Sequence, residues 1–401
     1  MDVNLLIYRY IGKEGIMGIK ISEAVKYIGC DDKTIDLFES QYPVPNGVSY
    51  NSYVILDEKV AVMDTADPRV TDQWLANLEN ELAGRKPDYL VVSHMEPDHA
   101  GSIKVFLEKY PETTVVGNVK TFTMMGQFMD AAIFENRKQV VAEGDKLSLG
   151  SHELTFVLAP MVHWPEVMVE YESTEKILFS ADGFGKFGAL DCDEPWIDEA
   201  RRYYLNIVGK YGASVQGLLK KAAALDIQTI CPLHGPVLTE NLGYYIDLYD
   251  KWSSYKPEEE GVLITCASIH GNTKKAALKL QEKLQAAGVK TQFIDLTRDS
   301  MSEAVARAFY WDKMICCACT YDGGLFPPMQ DFLHHLTAKA YQGRKVGFME
   351  NGTWAPQAAK CMQAILEGSK NLEILEPVVS IKSTATPDNE AQMDALVTAV
   401  K

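Results

Sequence analysis

The chain contains no apolar run approaching the roughly 18 residues that a helix needs to cross a bilayer. Basic charge is scarce, with 39 Lys and Arg against 55 Asp and Glu and a net charge of −16. Such a balance repels phosphate backbones and anionic lipid, so neither nucleic acid nor a membrane surface is an expected partner. The start has an apolar patch but neither a signal-peptide layout nor a small-residue cleavage site, and a cytoplasmic location is expected. Residues 1–17 read as an N-terminal extension, with Met17 as an alternative start. Cysteine is thinly spread. Cys316 and Cys319 have CxxC spacing, but no second pair completes a zinc or rubredoxin-type site. They lie in the apolar run "KMICCACTYDGG", which predicts a buried strand, and disulfides are not expected.

What is present is enough apolar material for large cores: 47% of 401 residues are hydrophobic and 23% charged. That length and composition suit roughly two to three domains. The first half is rich in short β-type runs, with a helical stretch, "TDQWLANLENELAG", that puts Trp74, Leu75, Leu78 and Leu82 on one face. The polar segment "KPEEEG" at 256–261 reads as a linker, dividing a domain at 18–255 from one at 256–401. Beyond it, strands and helices alternate: "GVLITCAS", a helix from Asn272 to Ala287, "KTQFIDLT", 302–312, "KMICCAC", 328–340, "RKVGFMEN", 355–367, "LEILEPVVSIK" and 388–400. Five strands, each followed by a helix, predict a doubly wound parallel sheet.

Among only eight histidines, two fall with two acids in "HMEPDH". On an extended backbone His94, Glu96 and Asp98 would point the same way, with His99 beside them, and Pro97 discourages a helix. Four such donors in six residues are more than one ion takes from a short segment, and suit two adjacent metals. Three further candidates, His163 in "APMVHWPEVM", Asp182 in "ILFSADGFG" and His234 in "TICPLHGPV", also follow apolar strands. Taken singly, each reads equally well as turn chemistry. Their shared placement at strand ends is the argument for convergence.

This series resembles the ligand pattern of the metallo-β-lactamase fold, with Glu96 where the hydrolases carry histidine. With "HWPEVM", "LFSADGFG" and "LHGPV" it resembles most closely the flavodiiron proteins, over nearly the whole chain from about Ile19. The resemblance implies a metallo-β-lactamase-like αββα sandwich followed by a flavodoxin-like domain. It implies that His94, Glu96 and His163 bind one iron, that Asp98, His99 and His234 bind the other, and that Asp182 bridges them. An added carboxylate supplies a hard oxygen donor and negative charge, which suits iron cycling between ferrous and ferric. His152, His334 and His335 are expected in helices or surface strands, away from any metal.

In the second half, "CASIHGNTKKAAL" runs from a strand into a helix, where Ser268, His270, Gly271, Asn272 and Thr273 form a candidate phosphate cradle. No GK[ST] or GxGxxG occurs there, which disfavours a nucleoside triphosphate or a dinucleotide. Two later strand ends, Cys319, Thr320, Tyr321, Asp322, Gly323 and Gly324, then Asn351, Gly352, Thr353 and Trp354, each bring an aromatic residue past the end of its strand. This resembles the FMN site of flavodoxins. The resemblance implies reduction of O2 to water, of NO to N2O, or both. It also implies an external donor such as rubredoxin or a reduced deazaflavin, and a homodimer or a dimer of dimers. A di-zinc hydrolase with a fused flavodoxin-like module is the alternative, disfavoured by Glu96. A bare electron carrier is disfavoured by the intact donor set.

Overall fold

The computed structural model describes residues 21–401, so the predicted extension at 1–17 lies outside the described residues. The chain forms two compact units. One takes in the described residues up to Ala200 together with Ser214–Ile246, and the other Arg201–Ala213 with Asp247–Lys401.

The first unit is built on two sheets that share one core. One sheet runs in the order Val25–Tyr27, Tyr53–Leu56, Val60–Met63, Tyr89–Val91, Thr114–Gly117 and Lys138–Val140. Its first pairings are antiparallel, and the rest are parallel. The other runs Lys146–Ser148, Glu153–Leu158, Met168–Glu172, Ile177–Phe179 and Thr229–Cys231. Ile55, Met63, Val91 and Val116 from the first sheet meet Leu154, Phe156, Met168 and Phe179 from the second. Val60–Met63 is buried on both faces, the pattern of a sheet covered by a second sheet on one side and by helices on the other. The helix Thr71–Leu82 buries Trp74, Leu75, Leu78 and Leu82, the face that its periodicity predicts. Its Trp74 ring lies 5.8 Å from that of Phe106 on Ile103–Lys109. This is the expected αββα sandwich.

The second unit is a parallel sheet with helices between its strands. The order is Thr291–Asp295, Glu259–Ala267, Trp311–Tyr321, Lys345–Asn351, then two short pieces, Glu373–Ile374 and Val379–Ile381. In chain order that is 2-1-3-4-5, the flavodoxin-like arrangement, whose ligand crevice lies where strand order reverses. Three sequence expectations need correction. The strand begins at Glu259, inside the predicted linker. The predicted last strand is two pieces, because Pro377 between them has no N–H to give to a ladder. Cys319, Thr320 and Tyr321 are still strand, because Thr320 and Tyr321 pair with Leu325 and Gly324 in a hairpin. Asp322 and Gly323 turn that hairpin with φ of 49° and 73°, the paired positive values that a tight two-residue hairpin turn requires. Cys316 and Cys317 are buried in the middle of this strand, as their apolar setting predicts. Among the described residues no helix is long and apolar enough to cross a membrane.

Candidate metal centre and cofactor loops

All seven acidic and histidine candidates of the first unit lie just past the ends of its strands, three of them inner and one, Thr229–Cys231, at a sheet edge. Tyr89–Val91 runs out into Ser93, whose backbone N–H is held by Asp64 Oδ1 at 2.8 Å, and His94 follows. The extended path continues only as far as Glu96. There Pro97–Ala100 turns helical, with the amides of His99 and Ala100 bonded to the Glu96 carbonyl. Pro97 therefore starts a helix rather than preventing one, since at the first helical position its missing N–H costs nothing. Asp98 does not point alongside His94 and Glu96 as a continuous strand would require. The bend sends the two halves of "HMEPDH" into two different groups.

The first group is His94, Glu96, His163 and Asp182, and the second is Asp98, His99 and His234; within each, donor atoms lie within 4.8 Å of one another. Glu96 Oε2 is 3.2 Å from His94 Nε2 and 3.0 Å from His163 Nε2. Asp182 Oδ2 is 3.0 Å from His163 Nε2 and 3.4 Å from His94 Nε2. In the second group Asp98 Oδ2 lies 3.2 Å from His234 Nε2 and 3.5 Å from His99 Nε2, and the two Nε2 atoms are 3.0 Å apart. The other oxygen of Asp182, Oδ1, is 3.9 Å from both of those nitrogens. One carboxylate thus addresses both groups.

The turns that aim these donors are tightly specified. Asp182 follows Ile177–Phe179 through Ala181, at φ 48°, while Ser180 Oγ donates to the Gly183 carbonyl at 2.7 Å. The His234 turn is clamped from the segment 49–51. Asn51 Nδ2 donates to the carbonyls of Pro232 and Gly235 at 2.8 and 2.7 Å, and Ser49 Oγ accepts the Gly235 N–H at 2.7 Å. His234 Nδ1 donates to the Ser49 carbonyl at 2.7 Å, and His94 Nδ1 meets Glu166 Oε1 at 2.8 Å. Each contact turns Nε2 toward its group.

The electrostatics favour cations. Burial alone would push the His94 ring down, but Asp182, Glu166 and Glu96 outweigh it and hold the ring well above its usual range. His163 rises to about 9 as its bonds to Asp182 and Glu96 outweigh burial. Glu96 falls to about 2, burial being overcome by His163 and His94. His99 instead falls to about 4, because burial dominates and Asp98 compensates only in part. Asp98 Oδ1 and Asp182 Oδ1 are buried with no hydrogen-bond partner. Buried carboxylate oxygens left open among imidazole nitrogens fit a pair of divalent transition-metal ions, and the mixture of hard oxygen and imidazole donors suits iron. A cavity of about 300 Å³ lies beside the second group, lined by Ile35, Phe38, Tyr50 and Arg69 and reaching Glu96 and Asp98. The remaining histidines of interest stand apart. His152 is buried rather than on a surface strand, paired with Asp57 at 2.8 Å.

In the second unit the expected cofactor residues gather at the C-terminal ends of three adjacent strands. After Glu259–Ala267, Ser268 Oγ accepts the Gly271 N–H at 3.1 Å. Gly271 sits at φ 90° directly before the helix Asn272–Ala286, whose N-terminus carries no side-chain cap. Those free N–H groups, with Thr273 buried behind them, fit a phosphate. Tyr321 is 45% and Trp354 88% exposed, flat apolar surfaces open to a ring. Thr320 Oγ1 accepts the N–H groups of Gln357 and Ala358, and Asn351 bonds both ways to the Ser383 backbone, which fixes the third loop. Gly352 has no room for a Cβ, which would stand 2.8 Å from Pro356 Cα.

Residues 48–235 match the family model described as "ODP family beta lactamase". The chain is 27% identical over 392 residues to the anaerobic nitric oxide reductase flavorubredoxin of Aliivibrio salmonicida, covering 94% of this chain and 76% of that one. Its fold matches the flavodiiron protein from Giardia intestinalis at a TM-score of 0.89 and 23% identity, over 97% of each chain. It also matches the rubredoxin oxygen:oxidoreductase of Desulfovibrio gigas at a TM-score of 0.89 and 24% identity, covering 96% of this chain and 97% of that one. With the seven-donor site and the 2-1-3-4-5 sheet joined in one chain, these matches identify it as a member of the flavodiiron protein family.

Proposed function

We propose that the chain is an oxidoreductase that reduces O2 to water, NO to N2O, or both, at a non-haem di-iron site supplied with electrons through FMN. The observation that carries this reading is the convergence of seven donors into two groups with one carboxylate, Asp182, addressing both. In this reading His94, Glu96 and His163 hold one iron, Asp98, His99 and His234 the other, and Asp182 spans them. Ser268, His270, Gly271, Asn272 and Thr273 hold the FMN phosphate. Residues Cys319–Gly324 and Asn351–Trp354 flank the ring.

Two irons and one flavin together supply up to four electrons, the number that takes O2 to two waters. The protein's part is to hold the donors and set the surroundings. Ser49, Asn51 and Glu166 fix the rings of His234 and His94. Electrons would come from an external carrier. Rubredoxin is the first candidate, since it appears in the name of the Desulfovibrio gigas protein with this fold. A homodimer or a dimer of dimers is the proposed assembly. Glu96 weighs against a di-zinc hydrolase, because it puts an oxygen donor where imidazole would suit zinc.

Metal analysis with a visible spectrum of the purified protein tests the reading. About two irons and one flavin per chain are expected. Zinc without flavin would support the hydrolase instead.

A further inference from the structure

The three imidazoles whose second ring nitrogen is accounted for are not backed alike. His94 Nδ1 is hydrogen-bonded to the Glu166 carboxylate at 2.8 Å, His234 Nδ1 to the neutral carbonyl of Ser49, and His99 Nδ1 is buried with no partner. Glu166 is itself enclosed. It is 1% exposed, its Oε1 also accepts the Met95 N–H at 2.8 Å, and its own carbonyl accepts from Asn118 Nδ2. The Trp164 ring stands edge-on to His94 at 5.2 Å, so the His94–Glu166 pair is shielded from water. A ring N–H given to a carboxylate makes the opposite nitrogen a stronger donor, more so in dry surroundings, whereas a carbonyl does less and an orphan N–H nothing.

We infer that Glu166 is a positioning residue that makes the two metal positions unequal, so that the His94 group holds iron more tightly than the His99–His234 group. This rests on the di-iron reading above. Each group has one carboxylate of its own, Glu96 or Asp98, and Asp182 addresses both, so the difference between them rests on what backs their imidazoles.

The test follows release of iron from the ferrous protein to the chelator ferrozine. Wild type should give two phases, one iron fast and one slow. His234→Asn, which removes a donor of the second group, should accelerate only the fast phase. Glu166→Gln keeps the shape and the Met95 contact but removes the charge, and should accelerate only the slow phase, by roughly 10- to 100-fold. FMN content and circular dichroism equal to wild type show that each variant is folded. A single phase in wild type, or a Glu166→Gln protein that releases both irons at wild-type rates, overturns the inference. So does acceleration of the fast phase alone. Should Glu166→Gln not fold, the assignment of phases by His234→Asn decides: acceleration of the slow phase instead of the fast one overturns the ranking. Wild-type protein that binds no iron would instead remove the di-iron reading itself, and the inference with it.

Discussion

Asn51→Ala is the most informative single change, because Asn51 holds the His234 turn without being a metal donor. Its Nδ2 donates to the carbonyls of Pro232 and Gly235, and its Oδ1 accepts from Tyr27 OH at 3.0 Å, all in buried surroundings. Truncation removes three hydrogen bonds and leaves the Gly235 carbonyl and the Tyr27 hydroxyl without this partner, while the Pro232 carbonyl keeps the Tyr53 hydroxyl at 2.6 Å. At about 1 kcal/mol for each lost bond, the cost is about 3 kcal/mol, and higher if water cannot fill the gap. For a unit of this size that lowers Tm by about 6–12 °C. His234 sits between Pro232 and Gly235, whose clamp is weakened, so its aim should loosen as well, and one iron should be lost. Calorimetry of the metal-free protein reads the first effect, and iron analysis the second. A Tm within about 1 °C of wild type, with both irons retained, would refute the reasoning that this side chain clamps the turn.

Further predictions concern other buried groups. Glu170 is fully buried, and burial followed by the charge of Asp64 raises its carboxyl well above the usual range, while Asp64 is raised to about 7 by burial. An acid with a raised folded pKa adds stability below its unfolded value, about 4.3 for Glu, and that contribution is lost as pH climbs through the folded value. Glu170→Gln should therefore raise Tm at pH 8 and change it little at pH 4; equal Tm differences at both would argue that Glu170 is not held protonated. Thr273→Asp should cut FMN content at least tenfold through repulsion of the phosphate and leave iron content unchanged, and normal flavin after dialysis would place the phosphate elsewhere. Glu96→His should lower the iron-to-zinc ratio in protein from metal-replete cells, and an unchanged ratio would remove Glu96 from the donor set.

The site was legible in the sequence to the extent that its residues are chemically unusual for their surroundings. His94, Glu96, Asp98 and His99 stand close together at the end of an apolar strand, and no packing role asks for them. Likewise the five-strand rhythm after Gly261 is written in composition, and the buried face of Thr71–Leu82 in periodicity. What stayed hidden depends on distant partners. Glu166 is 72 positions from His94, and Ser49 is 185 from His234, and an ordinary glutamate or serine carries no local sign of either contact. The helical turn at Pro97 was misread because proline excludes a helix interior but suits a helix start. The strand running on to Tyr321 was missed because its end is set by pairing with Gly324 and not by local preference.

The most direct test of the central claim is a single-turnover experiment on the reduced protein. Fully reduced wild type, mixed anaerobically with limiting O2, should consume one O2 per four electrons stored and release no hydrogen peroxide. His163→Asn, which loses a donor shared with Glu96 and Asp182, should lose this uptake while its flavin remains reducible. Peroxide released in proportion to the O2 consumed, or uptake at the wild-type rate in His163→Asn, would contradict reduction at the seven-donor site and move the chemistry to the flavin alone.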